Sequence, residues 1–144
     1  MNRVILLVED NRDDEELTLR AFVKSNVTNP VVVVRDGEEA LDYLFARGPY
    51  APPAKTETPQ VILLDLKLPK VDGLEVLRQV RTEPKTRLLP VVILTSSVED
   101  QDLVRGYGLG ANSYIRKPVD FNQFVEAVKQ LGLYWLVLNQ PVPL

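Results

Sequence analysis

Three carboxylates, a hydroxyl cluster and a lysine sit at the ends of short apolar runs in this chain. Glu9-Asp10 closes Val4–Val8, Asp65 follows Val61–Leu64, Thr95-Ser96-Ser97 follows Val91–Leu94, and Arg116-Lys117-Pro118 follows Ser113–Ile115. Carboxylates a few Å apart disfavour each other's ionisation, so such a cluster requires a compensating cation. The chain has no histidine and no cysteine. That excludes an imidazole base, a histidine phosphate carrier, a thiolate nucleophile, disulfides and zinc held by nitrogen or sulfur. Oxygen ligands select Mg2+ or a similar hard ion. A divalent metal, an ammonium and a hydroxyl converging on one carboxylate are what phosphoryl transfer to that carboxylate requires. The carboxylate would be the nucleophile and the product an acyl phosphate. Taken singly, each group has a plainer role. Asp10 or Asp65 could cap a helix, Thr95 could bond backbone, and Lys117 could be a solvated amine. The signal is their joint position at four strand ends.

The elements that must bring these groups together are legible from hydrophobic period. Val4–Val8, Val31–Val34, Val61–Leu64 and Val91–Leu94 are nearly continuous apolar runs, and Ser113–Ile115 is a shorter fifth. Continuous rather than alternating apolarity predicts strands buried on both faces of a parallel sheet. Amphipathic helices are predicted between them. Asp13 or Asp14 caps one carrying Leu17, Ala21 and Phe22 inward, and Asp36-Gly37 opens one carrying Ala40, Leu41 and Leu44. Asp72-Gly73 opens one carrying Leu74, Leu77 and Val80, and Glu99–Leu109 is a weaker fourth. Asp120 caps the fifth, with Phe121, Phe124, Val125, Val128 and Leu131 on one face. The pattern is (βα)5, and right-handed crossovers make it a doubly wound α/β sheet. Ligands of such sheets sit at the carboxyl ends of the strands. With the first and third strands adjacent, as in the flavodoxin-like order 2-1-3-4-5, Glu9, Asp10 and Asp65 share one cleft.

The 144 residues suffice for one domain with a hydrophobic core. Net charge is −3, with 17 basic and 20 acidic residues dispersed along the chain, so no basic nucleic-acid footprint is expected. No apolar run reaches the roughly 18 residues of a membrane span. Val4–Val8 is short for a signal-peptide core, which makes a cytoplasmic protein the expectation. Gly48–Pro59 carries four prolines and is expected to be a surface insertion without chemical role. Leu133–Leu138 is apolar at six consecutive positions. A helix through it would be apolar all round, so some of it should meet a partner, unless the tail folds back on its own domain.

The chain closely resembles the receiver domain of two-component response regulators. The motifs are Val-Glu-Asp-Asn after the first strand, Leu-Leu-Asp-Leu-Lys-Leu-Pro-Lys-Val-Asp-Gly around Asp65, Leu-Thr-Ser-Ser after the fourth, and Gly-Ala-Asn-Ser-Tyr-Ile-Arg-Lys-Pro before the last helix. The resemblance implies a single receiver over 1–144, with core 3–131, an insertion loop at 46–60 and a C-terminal extension at 132–144. It makes Asp65 the phosphoacceptor. It implies Mg2+ (or Mn2+) held by Asp10, by Glu9 largely through water, by Asp65 and by the backbone carbonyl of Lys67. Thr95 and Lys117 would pair with the phosphoryl group, and Lys117-Pro118 would be a cis peptide. Tyr114 matches the aromatic switch that turns inward when Thr95 moves, with Gly110 and Ala111 as the small residues before it. Lys67 and Ser97, each two residues past a reacting position, are candidates for tuning dephosphorylation.

No output domain follows Leu144, so a stand-alone regulator that signals by protein contact is expected. The insertion, the Leu-Tyr-Trp-Leu-Val-Leu-Asn tail and the final Pro141-Val142-Pro143 resemble single-domain regulators paired with bacterial phytochrome histidine kinases. That resemblance implies a sensor kinase as phosphodonor, a downstream protein target or phosphotransfer protein, and a homodimer. Tyr107, Tyr134, Trp135, Leu136 and Leu138 are the expected interface residues. Neither nucleic acid nor membrane is an expected partner. An Asp-nucleophile phosphohydrolase would need a second acid where Lys67 stands. A flavin-binding module would need a phosphate loop where Glu9-Asp10-Asn11 repels phosphate. A structural adaptor that is never phosphorylated is the remaining alternative.

Overall fold

The computed structural model describes residues 4–96, 99–117 and 120–138. Five parallel strands, β1 (Ile5–Val8), β2 (Val31–Val34), β3 (Val61–Leu64), β4 (Val91–Thr95) and β5 (Ser113–Arg116), form one sheet in the order β2-β1-β3-β4-β5. Ile5 pairs with Val31 on one side and with Val61 on the other, so β1 and β3 end level with each other. This is the flavodoxin-like order expected from the (βα)5 pattern. Helices α1 (Arg12–Lys24), α2 (Gly37–Phe45), α3 (Gly73–Thr82), α4 (Asp100–Gly108) and α5 (Phe121–Gly132) connect and cover the strands.

The period-two geometry of strands divides the core into two layers. Leu6, Val8, Ile62, Leu64 and Ile93 face Leu41, Leu44, Val76, Leu77 and Val80 of α2 and α3. Ile5, Leu7, Leu63, Val92 and Leu94 face Ala21, Phe22, Phe124, Val128 and Leu131 of α1 and α5. β1, β3 and β4 are buried at every position. β2 differs from expectation: its continuous valine run lies at the sheet edge, and only Val34 is fully buried. With no neighbouring strand on its outer side, an edge strand keeps residual exposure. In α3, Val76 is buried alongside Leu77 and Val80, whereas Leu74 is only half-buried.

Helix starts are fixed by side-chain caps. Asn11, Asp36 and Asp72 accept the N–H of Asp14, Glu39 and Glu75 at 2.9, 2.7 and 3.0 Å. The cap of α1 is thus Asn11, two residues before Asp13 and three before Asp14; those acids lie in the first turn, where they favour the helix dipole. Asp120 accepts the N–H groups of Asn122 and Gln123 at 2.7 and 3.1 Å and starts α5 as expected.

The proline-rich segment is tied to α2. It opens with a 3-10 turn at Gly48–Tyr50. The Tyr50 ring meets Tyr43 edge-on at 5.3 Å, its hydroxyl donates to Glu39 at 2.9 Å, and the Tyr43 hydroxyl donates to the Glu57 carbonyl at 2.8 Å. Beyond α5 the chain continues in wider, π-type turns through Leu133–Leu138. Trp135 and Leu136 rest half-buried on the α1–α5 core layer, and the Gln60 amide donates to their carbonyls at 3.2 and 3.4 Å. Tyr134 stays exposed. The tail therefore folds back with Trp135 and Leu136 on the core layer and Tyr134 in solvent.

Candidate functional site

The sheet order delivers the strand-end residues to one place. β1 and β3 are neighbours, so one carboxylate oxygen from each of Glu9, Asp10 and Asp65 lies within 4.8 Å of the others. Glu9 is 2% exposed and Asp65 6%, while Asp10 faces solvent. The N–H of Asp65 donates to the Val8 carbonyl at 3.1 Å, which extends the strand ladder into the site. Asp65 Oδ1 accepts from the fully buried Thr95 hydroxyl at 2.9 Å and from the Lys67 N–H at 3.2 Å. On its other oxygen, Asp65 accepts from Lys117 Nζ at 3.0 Å. The same ammonium donates to Glu9 Oε1 and, at 3.0 Å, to Asp14 Oδ2. Lys117 is aimed here because its own N–H continues the β4–β5 ladder, bonding the Thr95 carbonyl at 2.7 Å.

α3 closes the site from behind. The Gly73 N–H donates to the Leu66 carbonyl at 2.9 Å, and a Cβ on Gly73 would lie 2.2 Å from the Asp65 carbonyl oxygen. Only glycine permits this approach. A cleft of about 460 Å3 beside the acids is lined by Asp10, Lys67, Leu68, Asp102 and Arg105. A larger hollow of about 700 Å3 between α1 and α5 contains none of the strand-end groups, so size does not mark the chemistry here.

Burial separates the two inner acids electrostatically. Desolvation pushes Glu9 up to about 7, against the pull of Lys117. Desolvation also acts upward on Asp65, but the Lys117 charge and the bonds from Lys117 and Thr95 outweigh it and hold Asp65 below the usual 3.8. Burial alone would lower Lys117, yet its bond to Glu9 and the charges of Asp65 and Glu9 raise it. One ammonium thus serves Glu9, Asp14 and Asp65, with Asp10 adjacent, and the site keeps a negative excess whenever Glu9 is ionised. An all-oxygen donor set with that excess fits a hard divalent ion.

The Glu9 shift fixes the sign of a pH effect. A carboxyl raised from 4.5 to about 7 on folding costs the metal-free protein stability as pH climbs through that window, up to roughly 3 kcal/mol for such a shift. Asp65, depressed, contributes stability above its unfolded value and loses it only in stronger acid. In chelator, the wild type should therefore lose urea resistance between pH 5 and pH 8. Glu9→Gln should lose much less. Parallel pH dependences in the two proteins would show that Glu9 is not the titrating group.

Tyr114 lies half-buried in β5 with its ring 6.5 Å from that of Tyr107, which is exposed on α4. Asp14 escaped the sequence reading as a site residue. The available signal was the capping pattern Asn-x-x-Asp: a residue three past the cap turns back toward the strand end. Ser97, the peptide before Pro118 and the side chain of Leu138 lie outside the described residues. Among the described residues, the cis peptide is Pro52-Pro53.

The family model for the response regulator receiver domain matches residues 5–129. The chain belongs to the response regulator receiver family. This receiver is 35% identical over 134 residues to response regulator Rcp1 of Synechocystis sp., covering 93% of this chain and 89% of that protein. The Mn2+-bound form of Rcp1 superimposes with TM-score 0.88 at 33% identity, over 98% of this chain and 99% of that one. The phosphorylated cyanobacterial phytochrome response regulator RcpA gives TM-score 0.90 at 39% identity, over 99% and 100% of the two chains. The bacteriophytochrome response regulator AtBRR is 57% identical, with TM-score 0.76 over 97% of this chain and 99% of that one. The receiver presents the acidic pocket of its family as Glu9, Asp10 and Asp65. Among the described residues no helix is long and apolar enough to cross a membrane.

Proposed function

We propose that this receiver accepts a phosphoryl group on Asp65 from a phytochrome-type sensor histidine kinase and signals by a change of shape. The observation that carries the reading is the state of Asp65. It is buried yet held ionised by Lys117, and Thr95 already donates to it. An Asp65 oxygen attacks the phosphorus, the bond from phosphorus to the donor breaks, and the donor leaves with the electron pair. Lys117 Nζ, 3.0 Å from Asp65, offers a positive charge to the incoming phosphoryl oxygens. Thr95 offers a hydroxyl donor. Glu9, Asp10, Asp65 and the Lys67 carbonyl would hold Mg2+ or Mn2+, which when bound neutralises charge developing on those oxygens. The Mn2+-bound Rcp1 structure and the phosphorylated RcpA structure support both halves of the reading.

A phosphoryl group brings nearly two negative charges and three acceptor oxygens. Thr95 is drawn toward them, and space opens behind it for Tyr114, so that α4, β5 and α5 present a different surface. Lys67 and Ser97, each two residues past a reacting position, set the lifetime of the acyl phosphate. Intact-mass measurement after incubation with a small phosphodonor and Mg2+ tests the core of this reading. The expected result is a gain of one phosphoryl group that disappears in chelator. No gain under either condition would favour an adaptor that is never phosphorylated.

The same surface suits a second copy of the chain. Val104 and Tyr107 on α4 and Tyr134 in the tail are large apolar groups left exposed, by 70%, 50% and 51%. Tyr107 and Tyr134, with Trp135, Leu136 and Leu138 of the tail, are the proposed homodimer residues. The full chain should sediment as a dimer and a chain truncated after Gly132 should not; monomers in both would defeat the proposal.

A further inference from the structure

One half-buried guanidinium ties three segments together at the end of α3 opposite the acids. Arg81 donates through Nε to the Gly110 carbonyl at 2.9 Å and through Nη1 to the carbonyls of Leu89 and Arg87 at 2.7 and 3.1 Å. Its Nη2 donates to Asn112 Oδ1 at 2.8 Å. That amide oxygen also accepts the Val91 N–H at 2.8 Å, and the Asn112 N–H donates to the Val91 carbonyl at 2.9 Å. Arg81 therefore joins the end of α3, the entry to β4 and the turn between α4 and β5. Gly110 is shaped for this contact. Its φ is +98°, and a Cβ there would lie 3.0 Å from Arg81 Nε and 3.2 Å from its Cδ. Any other residue would meet both an unfavourable backbone conformation and the arginine stem.

The position matters because of what lies at each end of α3. Its first residue, Gly73, is packed on the Asp65 carbonyl. Eight helical steps, about 12 Å, separate that contact from the clamp. The clamped turn ends two residues before Tyr114, and the Gly110 and Ala111 N–H groups bond back to the Tyr107 and Gly106 carbonyls of α4 at 3.0 Å. A rigid helix thus runs from the backbone of the acid cluster to the base of both α4 and β5.

We propose that Arg81 is a positioning residue for the switch, pinning the 110–112 turn so that α4 and Tyr114 rearrange about a fixed base. The inference rests on Asp65 as phosphoacceptor with Thr95 and Tyr114 as the moving groups. Without the pin, loss of order in the turn absorbs the displacement behind Thr95, and the α4–β5 surface receives no defined change. Arg81 touches none of the reacting groups, so acyl-phosphate formation does not depend on it.

Hydrogen exchange across residues 103–116, with and without Mg2+ and beryllofluoride, tests this on the full chain as wild type, Arg81→Met and Arg81→Lys. Small-phosphodonor labelling is measured in parallel. Arg81→Met should label as the wild type does, exchange at least about tenfold faster at 109–112, and lose the beryllofluoride-dependent difference at 113–116. Arg81→Lys, which keeps charge and stem but not the fork, should fall between. If Arg81→Met keeps the wild-type difference, or lowers global stability with that difference intact, the arginine is a structural brace and the proposal fails. Should Arg81→Met not fold, Arg81→Lys carries the same comparison, and failure of both to fold overturns the proposal as well. A wild type that neither labels nor responds to beryllofluoride marks failure of the receiver reading itself, separable from any result at Arg81.

Discussion

Asp65→Asn should abolish phosphoryl incorporation completely while leaving the protein folded. The amide has nearly the same shape and still accepts the Thr95 hydroxyl and the Lys67 N–H through its oxygen, bonds of 2.9 and 3.2 Å in the wild type. What it lacks is the ionised oxygen that attacks phosphorus. The substitution removes one of the like charges that raise Glu9 but also the ionised partner that Lys117 stabilises; the two effects oppose each other, and the metal-free variant should still unfold cooperatively in urea. A folded, phosphodonor-inert variant places the chemistry on Asp65. Residual labelling of Asp65→Asn by intact mass would place it on Glu9, Asp10 or Asp14 instead.

Lys117→Met should produce the largest loss of stability of any single change at the site. It leaves Glu9, Asp14 and Asp65 without the ammonium they share. Removing one partner of a buried ion pair costs about 3–5 kcal/mol, because the remaining charge is buried and uncompensated. The raised Lys117 pKa means that its contribution is undiminished across neutral pH. The pH dependence of the variant therefore comes from the acids. Glu9, already at about 7 with lysine present, rises further without it, so the penalty is greatest near pH 8 and shrinks toward pH 5, where Glu9 takes a proton. Mg2+ should recover part of the loss at pH 8 through the acidic pocket. Urea midpoints at the two pH values, with and without Mg2+, check each limb. A variant as stable as the wild type in chelator at pH 8 would mean that Lys117 does not hold the acids together.

Much of this site could be read before the fold was known, and for a definite reason. The acids and Thr95 close apolar runs that are interior strands of a parallel sheet, Lys117 closes the shorter edge strand β5, and strand ends of such sheets converge. Val61–Leu64 followed by Asp65 specifies a position as well as a residue type. Asp14 could not be found this way. It lies inside a helix, where an acid in the first turn has the ordinary role of favouring the dipole, and its partner is 103 residues away. Arg81 was equally silent: a basic residue in the last turn of an amphipathic helix is common, and two of its four acceptors, Gly110 and Asn112, lie 29 and 31 residues away. The tail illustrates a limit of another kind. Leu133–Leu138 announces that apolar surface must be covered, but not by what; Gln60 and the α1–α5 layer decide that Trp135 and Leu136 turn inward and Tyr134 does not.

The sequence by itself determined the chemistry available to this receiver: carboxylate and hydroxyl oxygens and amines, with no imidazole and no thiol, because side-chain identity sets what can ligate and what can attack. It also determined the sheet, because period and β-branching act over a few residues. Only the tertiary structure decided how one lysine is divided among three acids, and which of two buried carboxyls stays ionised. Those outcomes depend on desolvation and on distances of a few Å between segments that the chain keeps far apart, and neither quantity exists until the fold has formed.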